Sequence, residues 1–477
     1  MKRLALIAAT LAATHAHAQT LVPLLHQAPK GGQLSFQLTD GRVLVQSFNP
    51  AEWYTLTPDA KGRYQTGTWA QVGRLPANYA PLAFASAVLP SGKLVIAGGE
   101  YNFGTFLLTD LCAVFDPQAN TWASLAPPAG WGRIGDSPSV VLPNGAFLVG
   151  RKLDTRMAAL DPVKLTWTEV GSANKADFNA EEGWTLLPDG SVLTWDVKAG
   201  PNAELYRTLP QRWTQLGSTG VNLAGPPEAG PLKYPGGIYT PPGETGPGIL
   251  RPDGTVFATG AANIGTLFGH TAIYTPGPLG AAGTWAAGPN FPQGEDAADS
   301  FAALLPTGNV LVEGAQTGEL YEFDGKTLHD TGQNGGYNSL MVLPSGEILV
   351  GGAAVYRAAG TVNPAWAPVI TTFPGAMTQG ATYKISGQQF NGLSQANAFG
   401  DEYQTATNYP LARITYAHGE VAYFRTHDHS TMAVATGTLP VFTYVDVPDT
   451  AQTGPARLQI VANGIASVPV DVRIFAK

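Results

Sequence analysis

Seven times along the chain a short phrase recurs: a proline or threonine, a polar residue and glycine, then an apolar run. It reads Thr39-Asp40-Gly41, Pro90-Ser91-Gly92, Pro143-Asn144-Gly145, Pro188-Asp189-Gly190, Pro252-Asp253-Gly254, Pro306-Thr307-Gly308 and Pro344-Ser345-Gly346. Successive glycines of the phrase lie 38 to 64 residues apart. Proline fixes the entry to a tight turn, the polar residue and glycine supply the turn itself, and the apolar run is a strand. Several units then close on a tryptophan, in Thr68-Trp69, Thr121-Trp122, Thr166-Trp167, Arg212-Trp213 and Thr284-Trp285. Between the two signals stands a third strand, as in Ala113-Val114-Phe115-Asp116-Pro117. Each unit therefore reads as a four-stranded antiparallel blade. One blade cannot bury both of its faces, whereas seven packed around an axis can. The expected fold is all-β, a seven-bladed propeller over residues 19–363. Leu21-Val22-Pro23-Leu24-Leu25 is expected to close the ring by adding a strand to the last blade.

Composition supports a turn-rich β protein. Glycine and proline number 57 and 38, only 13% of residues are charged, and 10% are aromatic, which rules out a disordered chain. The net charge of −8 argues against nucleic acid and anionic membrane as partners. Residues 1–18 read as a signal peptide: Lys2-Arg3, an apolar stretch from Leu4 to Leu11, then Ala16-His17-Ala18 as the cleavage site. The mature chain is expected to be secreted or periplasmic, bacterial, monomeric and without membrane insertion. Cys112 is the single cysteine, so no internal disulfide forms, and its strand context makes it a core residue.

After Gly351-Gly352 the phrase stops, and Asn363-Pro364-Ala365-Trp366-Ala367-Pro368 reads as a linker. Alternating strands resume at Tyr383–Gly387, Leu411–Thr415, Phe442–Val445 and Ala456–Val461. Residues 364–477 are expected to form an immunoglobulin-like sandwich of the early-set type.

The double glycines Gly98-Gly99 and Gly351-Gly352 resemble those of kelch propellers, though the pair is eroded at Gly150-Arg151. A kelch propeller followed by such a sandwich resembles the galactose oxidase and glyoxal oxidase family. The resemblance is most specific in Asn408-Tyr409-Pro410-Leu411-Ala412-Arg413-Ile414 and Thr426-His427-Asp428-His429-Ser430. It implies that the second segment is a hairpin entering the propeller channel, with His427 at the position of a copper ligand. The rest of that cofactor is missing from the matching stretches. Tyr79–Ser86 has no cysteine, Trp131–Asp136 has no tyrosine, and Tyr337-Asn338 stands where the family carries Tyr-His. A Cys-Tyr copper-radical cofactor is not expected.

Loops before the innermost strands converge on the axis of a propeller. They offer Glu181, Glu182, Asp296, Asp299 and Tyr337 beside His427 as candidate catalytic groups, since paired carboxylates in unlike surroundings can act as acid and base. Arg133, Asp136, Asn338, Arg425 and His429 are candidate binding residues. His427 and His429, two apart on one strand face, make a possible divalent-metal pair with those carboxylates. Trp53, Tyr54, Tyr101 and Trp131 are candidate sugar platforms. Each group also has a structural reading: a polar hairpin plugging the channel, carboxylates capping backbone amides, aromatics in the core. The function expected first is binding of extracellular glycan or a small carbohydrate without copper-radical oxidation. The alternatives are a carbohydrate-active enzyme using a His/carboxylate cluster, and a copper oxidase of the galactose or glyoxal type.

Overall fold

The computed structural model describes residues 19–227, 230–263, 265–278 and 281–477. The signal peptide expected over residues 1–18 lies outside the described residues. Seven antiparallel sheets form the blades of a propeller. Blade 2 shows the plan, with Ala85–Val88 innermost, then Leu94–Ala97, Cys112–Asp116 and Thr121–Leu125. The turn phrase joins the first and second strands of every blade, and its seven glycines all have φ between 80° and 92°. That is the left-handed region, where a side chain is strained. The innermost strands of neighbouring blades pack against one another around the axis. Blade-closing tryptophans fill the gaps between blades: Trp122 lies 5.1 Å from Phe115 in its own blade and 5.0 Å from Trp53 in blade 1, centroid to centroid.

Blade 7 has only three strands of its own, Leu340–Val342, Ile348–Val350 and Ala354–Arg357. Thr20–Pro23 supplies the fourth, antiparallel to Ala354–Arg357, so the N-terminal strand closes the ring. This pairs an edge strand that carries buried Val355 and Tyr356.

The rest of the chain forms two sheets facing one core. One orders Val369–Thr372, Thr382–Gln388, Pro440–Asp446 and Thr426–His427. The other orders Ala376–Thr378, Val470–Phe475, Gly454–Ala462, Leu411–Tyr416 and Val421–Phe424. Met377, Ile385, Phe424, Val445, Leu458 and Ile460 are buried between them. The expected linker contains a short 3-10 turn, Pro364–Trp366.

This part meets the propeller in two ways. Its 425–432 segment docks on the turn phrases of blades 1 to 3: the amides of Thr426, Asp428 and Met432 donate to the carbonyls of Thr39, Pro90 and Pro143 at 3.0, 2.7 and 2.9 Å. Between the two sheets the chain also leaves for the propeller axis. Asn397–Ala398 pairs with Ala302 and Ala303 of blade 6 as a fifth strand. Asn397 Oδ1 accepts from Val342 N of blade 7, Gln395 Oε1 from Leu186 N of blade 4, and Tyr403 Oη from Ala83 N of blade 2. Contact with four blades in one short run puts this segment in the channel. Glycines permit the close fit: a Cβ on Gly183 would stand 2.4 Å from the carbonyl oxygen of Gly400.

Candidate functional site

The segment at 394–407 fills the channel, where the hairpin at 426–430 was expected. The hairpin stays at the turn end, and most of its polar side chains bond there. His427 Nδ1 pairs with Asp428 at 2.8 Å and Nε2 with Asp446 at 3.1 Å. Arg425 donates to Asp446 and to the Ser91 carbonyl at 2.6 and 2.7 Å. His429 is buried, bonds the Thr443 hydroxyl at 2.8 Å, and is pushed down to about 3 by burial and by His427. His427 and His429 therefore do not form a pair on a shared metal face with the channel carboxylates.

Other expected residues are also placed apart. Tyr337 is exposed and its hydroxyl donates to the Gln316 carbonyl, while Asn338 donates to the Gly335 carbonyl. Asp296 accepts from the amides of Ala262 and Ala298, a capping role. Arg133 donates to the Gly132 and Pro235 carbonyls in an exposed loop. Glu182 belongs to a closed ionic cluster, in which Lys175 Nζ stands 2.8 Å from Glu182, 3.0 Å from Asp177 and 2.6 Å from Glu204. Trp53, Tyr54 and Trp131 are core residues and offer no platform.

Three of the expected residues come together at the loop end of the channel. Asp136, Glu181 and Asp299 line a cavity of about 190 Å³ with Ala83, Glu100, Tyr101, Leu232, Pro241, Glu244, Asp401 and Glu402. Each stands in a loop just before an innermost strand, as do Ala83 and Glu244. Ala83, Glu181 and Asp299 hold φ of 49°, 60° and 49°, uncommon for residues with a side chain. Such conformations cluster where the surroundings force a side chain toward a site. Asp401 and Glu402 rise into the cavity on the channel segment.

Lys152 is the ammonium of this cluster. It is fully buried, donates to Asp136 and, at 2.6 Å, to Glu181, and stands 3.8 Å from Glu100. Its Nζ lies 4.8 Å from the centre of the Tyr239 ring, whose hydroxyl donates to Glu181. Burial works against the Lys152 charge, but Asp136 and Glu181 outweigh it and hold the pKa well above the usual lysine range. Burial would raise Glu181 too, yet Lys152 keeps it below the usual carboxylate range. The other acids move the opposite way. Burial, then Glu181, pushes Glu244 far up; burial, then Asp401, does the same for Asp299 and Glu402. Burial raises Asp136 well above its usual range despite Lys152, and lifts Asp401 to about 7, with Glu181 adding to it. One ammonium cannot balance seven carboxylates, so the cavity favours cations or hydroxyl donors as guests.

The sequence offered some signal for the residues it did not yield. Glu100 and Lys152 each follow the double-glycine position of their blade, Gly98-Gly99 and Gly150-Arg151. Asp401-Glu402 lies just upstream of Asn408-Tyr409-Pro410, in a polar run without strand alternation.

No protein-family model and no curated protein matches the chain. Solved structures do. A copper-bound fungal alcohol oxidase of the AA5 family aligns over 96% of this chain and 100% of its own, with a TM-score of 0.52 at 15% identity. The likeness is one of fold: a β-propeller. A streptogramin B lyase gives a TM-score of 0.47 at 11% identity, over 71% of this chain and 96% of that one. A catalytically inactive virginiamycin B lyase from Staphylococcus aureus, with quinupristin, gives 0.45 at 10%, over 72% and 99%. These two scores are too low to carry an argument.

The copper site implied by the family resemblance does not fit these residues. The cavity is lined by carboxylates, with no histidine or cysteine among its lining residues. Cu(II) in such oxidases wants imidazole and phenolate donors. Cys112 lies buried in blade 2, its thiol pushed far up by burial.

Proposed function

We propose that the protein binds a small polyhydroxylated ligand, of the carbohydrate class, in the carboxylate-lined cavity, with no copper-radical step. The observation that carries this reading is the cavity: a polar space of about 190 Å³ at the end of a channel that the 394–407 segment otherwise fills. Carboxylates accept strong hydrogen bonds from neighbouring sugar hydroxyls. The leader read in the sequence makes extracellular glycan the natural source, and a monomer suffices because the cavity is built from one chain.

Calorimetric titration with a panel of mono- and oligosaccharides tests this. Saturable binding is expected for at least one sugar, weakened about tenfold in Asp299→Asn, as for the loss of one buried hydrogen bond. Copper-loaded protein is expected to release no peroxide from primary alcohols. Absence of any sugar binding, or copper-dependent peroxide release, would overturn the reading. A second reading has support in Glu181, which is held by Lys152 and Tyr239 as an oriented base would be. Product analysis on the same panel separates turnover from binding alone.

A further inference from the structure

We propose that the channel cavity binds a hard divalent cation of the Ca²⁺ class through Asp401, Glu181 and Asp136. Oxygens of these three carboxylates lie within 4.8 Å of one another. With small side-chain rotations, oxygens this close can converge on a single ion at Ca–O distances of about 2.3–2.6 Å. The deciding observation is Asp401. It is 2% exposed, lines the cavity, and neither carboxylate oxygen receives a hydrogen bond from an N–H or hydroxyl group. Asp136 Oδ1 is likewise without a donor. The close neighbours of Asp401 are other acids, Glu181 and Glu402. A buried carboxylate without a donor is costly, and carboxylates brought this close share either protons or a cation.

The second acidic cluster of the molecule is built around a lysine. There Lys175 pairs with Asp177, Glu182 and Glu204, while both oxygens of neighbouring Asp196 are also without a donor. In the cavity the corresponding lysine, Lys152, reaches Asp136, Glu181 and Glu100 only. Among the described residues no lysine or arginine forms an ion pair with Glu244, Asp299, Asp401 or Glu402. The acids of the cavity without a paired cation among the described residues are therefore Glu244, Asp299, Asp401 and Glu402.

The cavity's size and walls favour a hydrated ion over an organic cation. A volume of about 190 Å³ holds about six waters. Ala83, Leu232 and Pro241 are its only aliphatic walls, too few to cover a hydrocarbon chain. Oxygen donors from acids and water are what Ca²⁺, Mg²⁺ and Mn²⁺ require, and an irregular carboxylate set suits the flexible shell of Ca²⁺ best.

This inference stands without the carbohydrate reading, because the ion is measured with no sugar present. Full-length mature protein is stripped with chelator and titrated with CaCl₂, MgCl₂ and MnCl₂ by calorimetry, with melting followed in parallel. One Ca²⁺ per chain is expected, with a Kd of about 1 mM or tighter and a raised melting temperature. Asp401→Asn, which keeps the shape, is expected to weaken binding at least about tenfold. No binding by any of the three ions overturns the proposal. So does undiminished binding in a folded Asp401→Asn protein. Should that variant not fold, Mn²⁺ anomalous scattering from wild-type crystals decides: a peak among Asp136, Glu181 and Asp401 supports the site, and its absence there overturns it. Sugar binding that fails while Ca²⁺ binding persists removes only the carbohydrate reading.

Discussion

Glu313, at the end of the second strand of blade 6, is an acid buried without a cation. Its side chain is almost fully covered, and Oε1 accepts from the amides of Tyr337 and Asn338 at 2.8 and 3.3 Å. Burial lifts its pKa to about 7, the two amides pull it back, and the facing acid Glu295 raises it further. The folded-state value thus lies above that of the unfolded chain. The protonated form favours folding, so its contribution is full below the unfolded value near 4.5 and is lost as pH rises through about 7. Glu313→Gln carries no charge to bury and keeps an acceptor for the amides. Relative to the parent, the variant is expected to gain about 1–3 kcal/mol between pH 4.5 and pH 8. Urea denaturation of both proteins at the two pH values measures it. A gap between them that does not change with pH would contradict the assignment. The same reasoning explains how Glu182, a candidate site residue in the sequence, comes to lie in the Lys175 cluster and outside the cavity. An acid in a channel loop is equally at home in a closed cluster, and only the position of Lys175, seven residues upstream, tells the two apart.

At the scale of elements, the turn phrase made the blades legible because it fixes both a left-handed glycine and a strand start. Asp136, Glu181 and Asp299 were legible for the same reason: the strand start locates the loop before it, and that loop faces the axis. The channel segment was not legible. Asn397–Ala398 is a two-residue strand with no alternation to detect, and its partners are about 95 residues upstream. The polar run Thr426–Ser430 attracted attention in its place, although its backbone docks on turn carbonyls and its histidines bond within the C-terminal part. Ring closure by Thr20–Pro23 was readable, because blade 7 is visibly short of a strand. This element has a measurable consequence. Removing residues 19–23 exposes the edge of Ala354–Arg357 and leaves Gln333 Oε1 without the Leu21 amide. Ring closure holds the first and last blades together, so the melting temperature is expected to fall by about 5 °C or more, as for a loss of a few kcal/mol. An unchanged melting curve would show that the strand is dispensable.

Across the whole molecule, the two C-terminal sheets keep a core of their own, while the segment between them joins the interior of the propeller. The largest buried core runs from blade strands into Ala396, Ala398, Phe399, Tyr403 and Tyr409 of the channel segment. Phe399 and Tyr403 pack on Phe301 with centroids 4.6 and 6.2 Å away, and Tyr403 meets Phe84 at 5.2 Å. The segment also carries Asp401 and Glu402, so the cavity exists only when both parts are present. A propeller of residues 19–363 alone would leave the inner-strand amides of Leu186, Leu304 and Val342 without their acceptors. Each buried amide left so costs about 1–3 kcal/mol, before any loss of aromatic packing. The isolated propeller is therefore expected to lack a cooperative melting transition. In the full chain, Asn397→Ala, which removes the Val342 acceptor and the donor to Thr405, is expected to lower stability by about 2–4 kcal/mol. Calorimetry of the two proteins decides between one unit and two. If the isolated propeller melted cooperatively near the temperature of the full chain, the channel segment would be a passenger, and the cavity would have to form without its two acids.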